Sequence, residues 1–359
     1  MHILKQHYFT VETIMEEVHQ TCEDLLIYCT FNRSPKSCSE MFNLIKTYDG
    51  HCCTFNYAAL NEGISFSDIT DDEDIEDYVD PSGIDLKTSG IVVTSESGRG
   101  SGLSVVFIVE PGNYPNWSLT PYHGAKILIT DPTDYPETTV LYKFVVPGES
   151  LDIKVEPKIF QSDEDIRRLP VETRACMFHD EAALAHSYRY STETCKTECK
   201  MKNYAHHCGC IPYKYPRDKT SRICDFHDLE CLNNLRAHRT GEGRTCNPVC
   251  YIECRDKKYS IASDVMPLLA DFYPPNVTKD RNISELSSVQ VYFAKSTCNC
   301  YDRMLLIDFN YFVATYGGVF SLSFGASIIT LFEIMYLLMS LSFKVLWSSI
   351  KQSNKIVLK

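Results

Sequence analysis

Apolar and polar positions are unevenly spread along the 359 residues. The longest apolar run, YFVATYGGVFSLSFGASIITLFEIMYLLMSLSF at 311–343, carries one formal charge, Glu333. A bilayer core about 30 Å thick needs roughly 20 apolar residues in a helix. The run therefore predicts a membrane-crossing segment, either tilted or broken midway. The predicted break is the small-residue centre, Gly325, Ala326 and Ser327. Small residues in lipid serve close helix packing or unwound backbone, which is tolerated only where protein buries it or water lines it.

Upstream the pattern changes. Apolar or β-branched runs at 91–94, 103–109, 125–130 and 140–146 are separated by Gly, Pro, Ser and Asp, which predicts an antiparallel sheet. The glycine-rich SGRGSG at 97–102 lacks the Lys-Ser/Thr and following helix of a phosphate loop, and reads as a hairpin turn. Residues 1–28 predict a short amphipathic helix, 163–203 turn helical, and 289–294 return to a strand pattern.

Charge and cysteine content set the compartment. The net charge of -12 argues against nucleic acid as a partner. Seventeen cysteines imply a disulfide framework in an oxidising compartment. Their odd number leaves at least one thiol unpaired or joined to another chain. Lys344, Lys351, Lys355 and Lys359 follow the apolar run with no acid among them, which places that end in the cytoplasm. The Cys-rich part then lies outside, together with the glycosylation sequons at Asn32, Asn116, Asn276 and Asn282. No apolar export segment lies near Met1. The expectation is an upstream membrane segment ahead of this sequence; the cysteines oppose the alternative, a tail-anchored cytosolic domain.

Candidate chemistry narrows the reading further. Cys29 and Cys38 are close enough to close a small loop, and no regularly spaced His or carboxylate makes them a metal site. The acidic run DITDDEDIEDYVD at 68–80 reads as a solvated loop before it reads as a cation or proton site. His206 and His207 beside Cys208 and Cys210 invite a zinc reading, but C-x-C and C-x3-C are not zinc-finger spacings. Disulfides are the preferred reading, with Cys195 and Cys199 on one helical face. There is no G-x-S-x-G, no H-E-x-x-H and no phosphate loop. Neither an enzyme, a metal centre nor a cofactor is expected.

Together these motifs resemble the degenerin/epithelial sodium channel family, most closely its pickpocket-type branch, over nearly all of the chain from about Cys29. GHCCTFN (50–56) resembles the family's G-x-C-x-T-F-N strand. GAKILITDPTDYP (124–136) resembles its sheet segment before the thumb, with Thr130 where His is often found. RACMFHDE (174–181) and the cysteine block 195–231 resemble the thumb framework, and YGGVFSLSFGASIITLFEIMY (316–336) the second transmembrane segment.

The resemblance implies an α+β membrane protein. A disulfide-rich extracellular domain with an antiparallel β-sheet core and a helical thumb spans 1–308. Within it, 29–60 begin the finger and palm, 90–160 form the β-rich palm, 163–260 the thumb, and 285–308 return to the membrane. One transmembrane pore helix follows at 309–346, then a cytoplasmic tail at 347–359. The family's first transmembrane helix is not in this sequence. The implied assembly is a homo- or hetero-trimer in the plasma membrane, conducting Na+, blocked by amiloride, and gated by an extracellular ligand or by force. A non-conducting, membrane-tethered Cys-rich binding or modulatory protein is the alternative.

Site residues carry over by position. Gly325, Ala326 and Ser327 match the selectivity filter, and Glu333 the acidic residue below it, where a ring of carboxylates concentrates cations. Ala314 matches the degenerin position, which needs a small side chain for closure. Gly317 and Gly318 match the adjacent pair, and Ser321 stands where a third Gly is usual. The implied disulfides are Cys29–Cys38, Cys176–Cys250, Cys195–Cys246, Cys208–Cys231 and Cys210–Cys224. Arg244 stands at the first Cys of the family's C-x-C-x3-C, leaving Cys199 to Cys254. Cys52 is left orphaned, and Cys22, Cys53, Cys298 and Cys300 receive no partner.

Overall fold

The computed structural model of the chain describes residues 10–58, 91–114, 122–137, 140–187, 189–216, 221–238, 246–279, 281–325 and 327–356. The acidic run at 68–80, Asn116, Arg244 and Ala326 lie outside the described residues. Two compact units emerge, Met1–Arg303 and Met304–Lys359.

In the first unit, α1 (Val11–Val18) starts at Thr10, whose hydroxyl accepts the Thr13 amide, and is shorter than the predicted amphipathic segment. The chain then enters β1 (Leu26–Phe31), β2 (Ser34–Lys36), the hairpin β3 (Phe42–Thr47) and β4 (Gly50–Phe55), and β5 (Leu103–Ile108). A second hairpin, β6 (Ala125–Ile129) and β7 (Leu141–Val145), precedes the long β8 (Glu149–Ser162) and the short β9 (Cys176–Met177). Two helices follow, α2 (Thr192–Cys208) and α3 (Leu229–His238). The chain returns through β10 (Ile252–Glu253), β11 (Asp256–Pro267), β12 (Leu286–Phe293) and β13 (Asn299–Arg303).

The main sheet has seven strands in the order β11-β8-β12-β5-β1-β2, with β13 also on β8. Strand β5, LSVVFI, shows why it lies in the middle. Val105 and Phe107 face one buried cluster with Cys29, Leu151, Ile153 and Val289. Val106 faces the other, with Leu268, Val277 and Leu286. Successive side chains on a strand point to opposite faces, and a strand covered on both reads as a continuous apolar run.

Two sequence expectations are corrected here. The sheet is mixed rather than antiparallel, because β12 and β13 both run parallel to β8. Parallel neighbours need a long crossover, and the whole helical segment plus β11 supplies it. The two strands share one edge of β8 in succession, β12 to Val155 and β13 from Lys158. Pro157, which has no N–H to give a ladder, lies in the gap. The second correction concerns 91–94, which form no strand. The Asn56 side chain does the work of a neighbouring strand there: its Oδ1 accepts the Val92 amide at 2.7 Å and its Nδ2 donates to the Val92 carbonyl at 3.0 Å. The SGRGSG segment is a turn with positive φ at Gly98, Gly100 and Gly102. A Cβ at Gly102 would meet the Val291 carbonyl oxygen at 2.4 Å, so the close approach to β12 needs glycine.

The helical part is held by sulfur. Ser191 caps α2 by accepting the Thr194 amide, and Gly209 ends it in the left-handed region. Cys195 bonds Cys250, Cys199 bonds Cys246, and Cys176 bonds Cys254. With Cys208–Cys231 and Cys210–Cys224, the five bonds are fully nested. This corrects the implied Cys176–Cys250, Cys195–Cys246 and Cys199–Cys254 pairs. Cys195 and Cys199 lie one turn apart on α2, so a chain returning antiparallel must meet the first with its later cysteine and the second with its earlier one. The triplet is therefore Cys246, Cys250 and Cys254, and Arg244 replaces no cysteine of the ladder. Cys29–Cys38 and Cys22–Cys53 staple the β1–β4 region, and Cys52 is free.

Beside Cys176 lies a buried ion pair. The Arg174 side chain is 2% exposed; its Nε donates to the Cys176 carbonyl and its Nη2 pairs with Glu181. Glu181 also accepts the Phe178 amide at 2.8 Å. Removing one partner strands a buried charge. Glu181→Leu is expected to cost about 3 kcal/mol, at the low end of that range because Glu181 is 24% exposed. Urea unfolding of the oxidised chain checks this, with Glu181→Gln retaining most of the stability.

Candidate functional site

The second unit contains α4 (Phe309–Phe324) and α5 (Ile328–Ile356). Asp308 starts α4 by accepting the Tyr311 amide at 2.6 Å. No described side chain of this unit through Trp347 is buried; Leu322 is 93% and Ile328 74% exposed. Ile328–Trp347 is, among the described residues, the one helix long and apolar enough to cross a membrane, with mean hydropathy 1.7. An apolar surface of this extent requires lipid or other apolar protein around it.

The apolar run is broken rather than continuous, so two helices stand where one pore helix at 309–346 is implied. Gly325 ends α4 at φ 60°, ψ 19°, the left-handed conformation that costs a side-chain-bearing residue about 1–2 kcal/mol. Ser327 then starts α5. Its hydroxyl accepts the Thr330 amide at 3.3 Å, while the Thr330 hydroxyl accepts the Ser327 amide at 2.9 Å. This reciprocal arrangement is a capping box built from Ser and Thr. It leaves the Ser327 hydroxyl a proton to donate and a second lone pair. The filter match thus rests on two described residues, Gly325 and Ser327, with Ala326 outside the description.

The other carried-over residues separate into two groups. Ala314, Gly317 and Gly318 lie on one face of α4 at i, i+3 and i+4. A Cβ built on either glycine meets nothing within 4 Å, so the strip admits close approach by another helix. Glu333 lies on α5 six residues past Ser327 and is exposed. Of the sequons, Asn276 and Asn282 are exposed, whereas Asn32 is half-buried with its Oδ1 accepting from Gly102 and Thr94. Cys208 and Cys210, the sulfurs of the zinc reading, are consumed in disulfides, which offer no thiolate to a metal.

One feature escapes sequence reasoning altogether. Asp131 and Asp134 before β7, Arg189 before α2, Glu253 on β10, and Asp256 on β11 line a void of about 10 Å³. Burial pushes the Asp134 carboxyl up to about 7, with Asp131 adding to it. Burial pushes Glu253 up to about 8, with Asp134 and Asp256 adding to it. Asp134 accepts from the Ser191 hydroxyl, and Glu253 accepts the Thr192 amide at 3.0 Å, so both acids sit at the start of α2. The residues come from three distant stretches with no shared motif.

The family description "amiloride-sensitive sodium channel" matches residues 2–337. The chain is 24% identical to sodium channel protein Nach of Drosophila ananassae, across 93% of this chain and 60% of that protein. It is 26% identical to pickpocket protein 28 of Drosophila melanogaster, across 90% of this chain and 57% of that protein. Acid-sensing ion channel 4-B of Danio rerio is 22% identical across 90% and 53%. The chain thus spans somewhat under two thirds of these relatives' lengths. A match over nearly the whole chain, to a family of ion channels and not of enzymes, places it: the chain belongs to the amiloride-sensitive sodium channel family, in its degenerin and pickpocket-type branch.

Proposed function

We propose that this chain is a subunit of a cation-selective, sodium-conducting channel of the plasma membrane, blocked by amiloride and gated through its disulfide-stapled domain. Three copies, or this chain with related subunits, surround one pore. The observation that carries this reading is the break at Gly325. A left-handed glycine and a serine cap interrupt an otherwise apolar helical run in which no described side chain through Trp347 is buried. Interrupted backbone is tolerated at membrane depth only where protein covers it or water lines it. Around a shared axis the freed carbonyls and the Ser327 hydroxyl replace part of a cation's hydration shell. Glu333 from each chain then supplies a ring of negative charge on the cytoplasmic side.

Expression with pickpocket-type subunits, followed by voltage-clamp recording, tests the proposal. The expected result is an amiloride-blocked inward sodium current. Ser327→Phe is expected to abolish it, and Ala314→Val to raise the resting current several-fold by holding the α4 strip apart. A chain that reaches the surface, adds no current to its companions and is indifferent to both substitutions is the non-conducting modulatory protein instead.

A further inference from the structure

Fourteen cysteines form seven disulfides within the chain, leaving Cys52, Cys298 and Cys300. The three differ. Cys52 is half-buried, and burial raises its thiol, which lies 3.3 Å from the Thr47 hydroxyl. Its partial burial leaves it less open to exchange than the other two. Cys298 and Cys300 are both exposed. Exposed thiols beside an oxidised framework invite a partner sulfur on another chain.

The local geometry keeps them from each other. Cys298 directly precedes β13 and Cys300 lies within it. In extended chain, residues i and i+2 stand about 6.7 Å apart with parallel Cα–Cβ bonds. A disulfide needs its Cβ atoms about 3.8 Å apart. Both thiols point to one face, and β13 pairs with β8 along one edge while its other edge meets no described strand. The Cys300 thiol is raised, by lost solvation first and by Asp302 second, with Asp302 Oδ1 3.6 Å from its sulfur. That suits a slow structural bond rather than a catalytic redox pair.

We infer that Cys298 of one copy bonds Cys300 of the next, closing a covalent ring of three chains. The inference rests on the trimeric reading above. Its logic is one of parity. A three-fold ring joins each chain to its neighbours through two different surfaces. One free thiol per chain leaves a trimer with an odd sulfur, whereas two different thiols per chain make three identical bonds. Each bond forms by exchange with a small oxidised disulfide such as glutathione disulfide. One thiolate attacks it and releases one reduced thiol. The neighbour's thiolate then displaces the second, so two protein thiols lose two protons and two electrons to the small disulfide.

The test uses the full chain in cells, with thiols blocked by N-ethylmaleimide before lysis. Non-reducing gels are expected to show covalent dimers and trimers that collapse to monomer on reduction. Cys298→Ser alone and Cys300→Ser alone should each give monomers, and their co-expression should restore covalent dimers. Both cysteines share the tryptic peptide 296–303. Three copies of that peptide joined head to tail, Cys298 to Cys300, are the expected mass-spectrometric product. A single peptide carrying two maleimides, an internal bond or glutathione overturns the inference. An amine-reactive cross-linker separates the two readings. Trimers captured by it without any disulfide ladder sink only the covalent ring, whereas monomers in both assays sink the trimer as well.

Discussion

Gly325→Val is expected to abolish the proposed sodium current while leaving the disulfide-stapled unit folded and the chain at the surface. The native residue holds φ 60°, where a Cβ crowds the neighbouring carbonyl. A left-handed conformation costs an ordinary residue about 1–2 kcal/mol, and a β-branched one is a marked outlier there. Valine relieves this by staying right-handed, which joins α4 to α5 as one helix. The i to i−4 hydrogen bonds across the junction then satisfy the carbonyls that the break leaves free, and the Ser327–Thr330 capping box loses its helix end. Current is expected to fall at least tenfold with unchanged surface biotinylation. Space is not the cause, because a Cβ at this position meets nothing within 4 Å. Gly325→Asn therefore serves as the control: asparagine enters the left-handed region readily, so it should retain a substantial fraction of the current. Equal loss in both variants would mean that something other than backbone conformation is at stake.

The contrast between these units shows what a sequence can disclose. The broken apolar run was legible because lipid enforces a simple rule on composition, and the break fell on its small residues. The cysteine block was legible as disulfides, and β5, β6 and β7 as strands, because local pattern suffices. Pairing was harder. Cys254 takes the outermost place in the nested ladder, a register that only the antiparallel return beside α2 decides. The parallel partners of β8 are set by long-range topology, which period-two patterning does not encode. Ile91 and Val92 look like strand residues, yet a side-chain amide from Asn56 replaces the ladder. Least legible was the buried acid cluster, since Asp134, Arg189 and Glu253 are unremarkable in their own stretches and acquire meaning only by being gathered.

That cluster is expected to make the stability of the disulfide-stapled unit depend on pH. The groups facing Glu253 are Asp131 and Asp134 from the β6–β7 connection, Arg189 and the Thr192 amide from the start of α2, and Asp256, Lys257 and Lys258 from β11. Arg189 reaches Glu253 at 3.7 Å and also bonds His179, so its charge is shared. Lys258 is paired with Asp256 at 2.8 Å. Three cations, with Lys258 exposed, thus face four acids, and protonation relieves the remaining excess. Asp134 and Glu253 titrate at about 7 and about 8 in the fold, against roughly 4 in an unfolded chain. Between those values the folded state holds more protons than the unfolded one, so stability falls as pH rises. The contribution is complete below about pH 4 and is lost as pH passes through 7 to 8. From pH 5.5 to 8.5 the unfolding free energy is expected to drop by about 5 kcal/mol, one pKa unit being 1.36 kcal/mol. Glu253→Gln keeps an acceptor for the Thr192 amide and removes one titration. It should flatten the profile above pH 7 and leave the variant more stable than the parent at pH 8.5. Urea midpoints measured at constant ionic strength decide the matter, and parallel profiles for the two proteins would show that Glu253 stays ionised throughout.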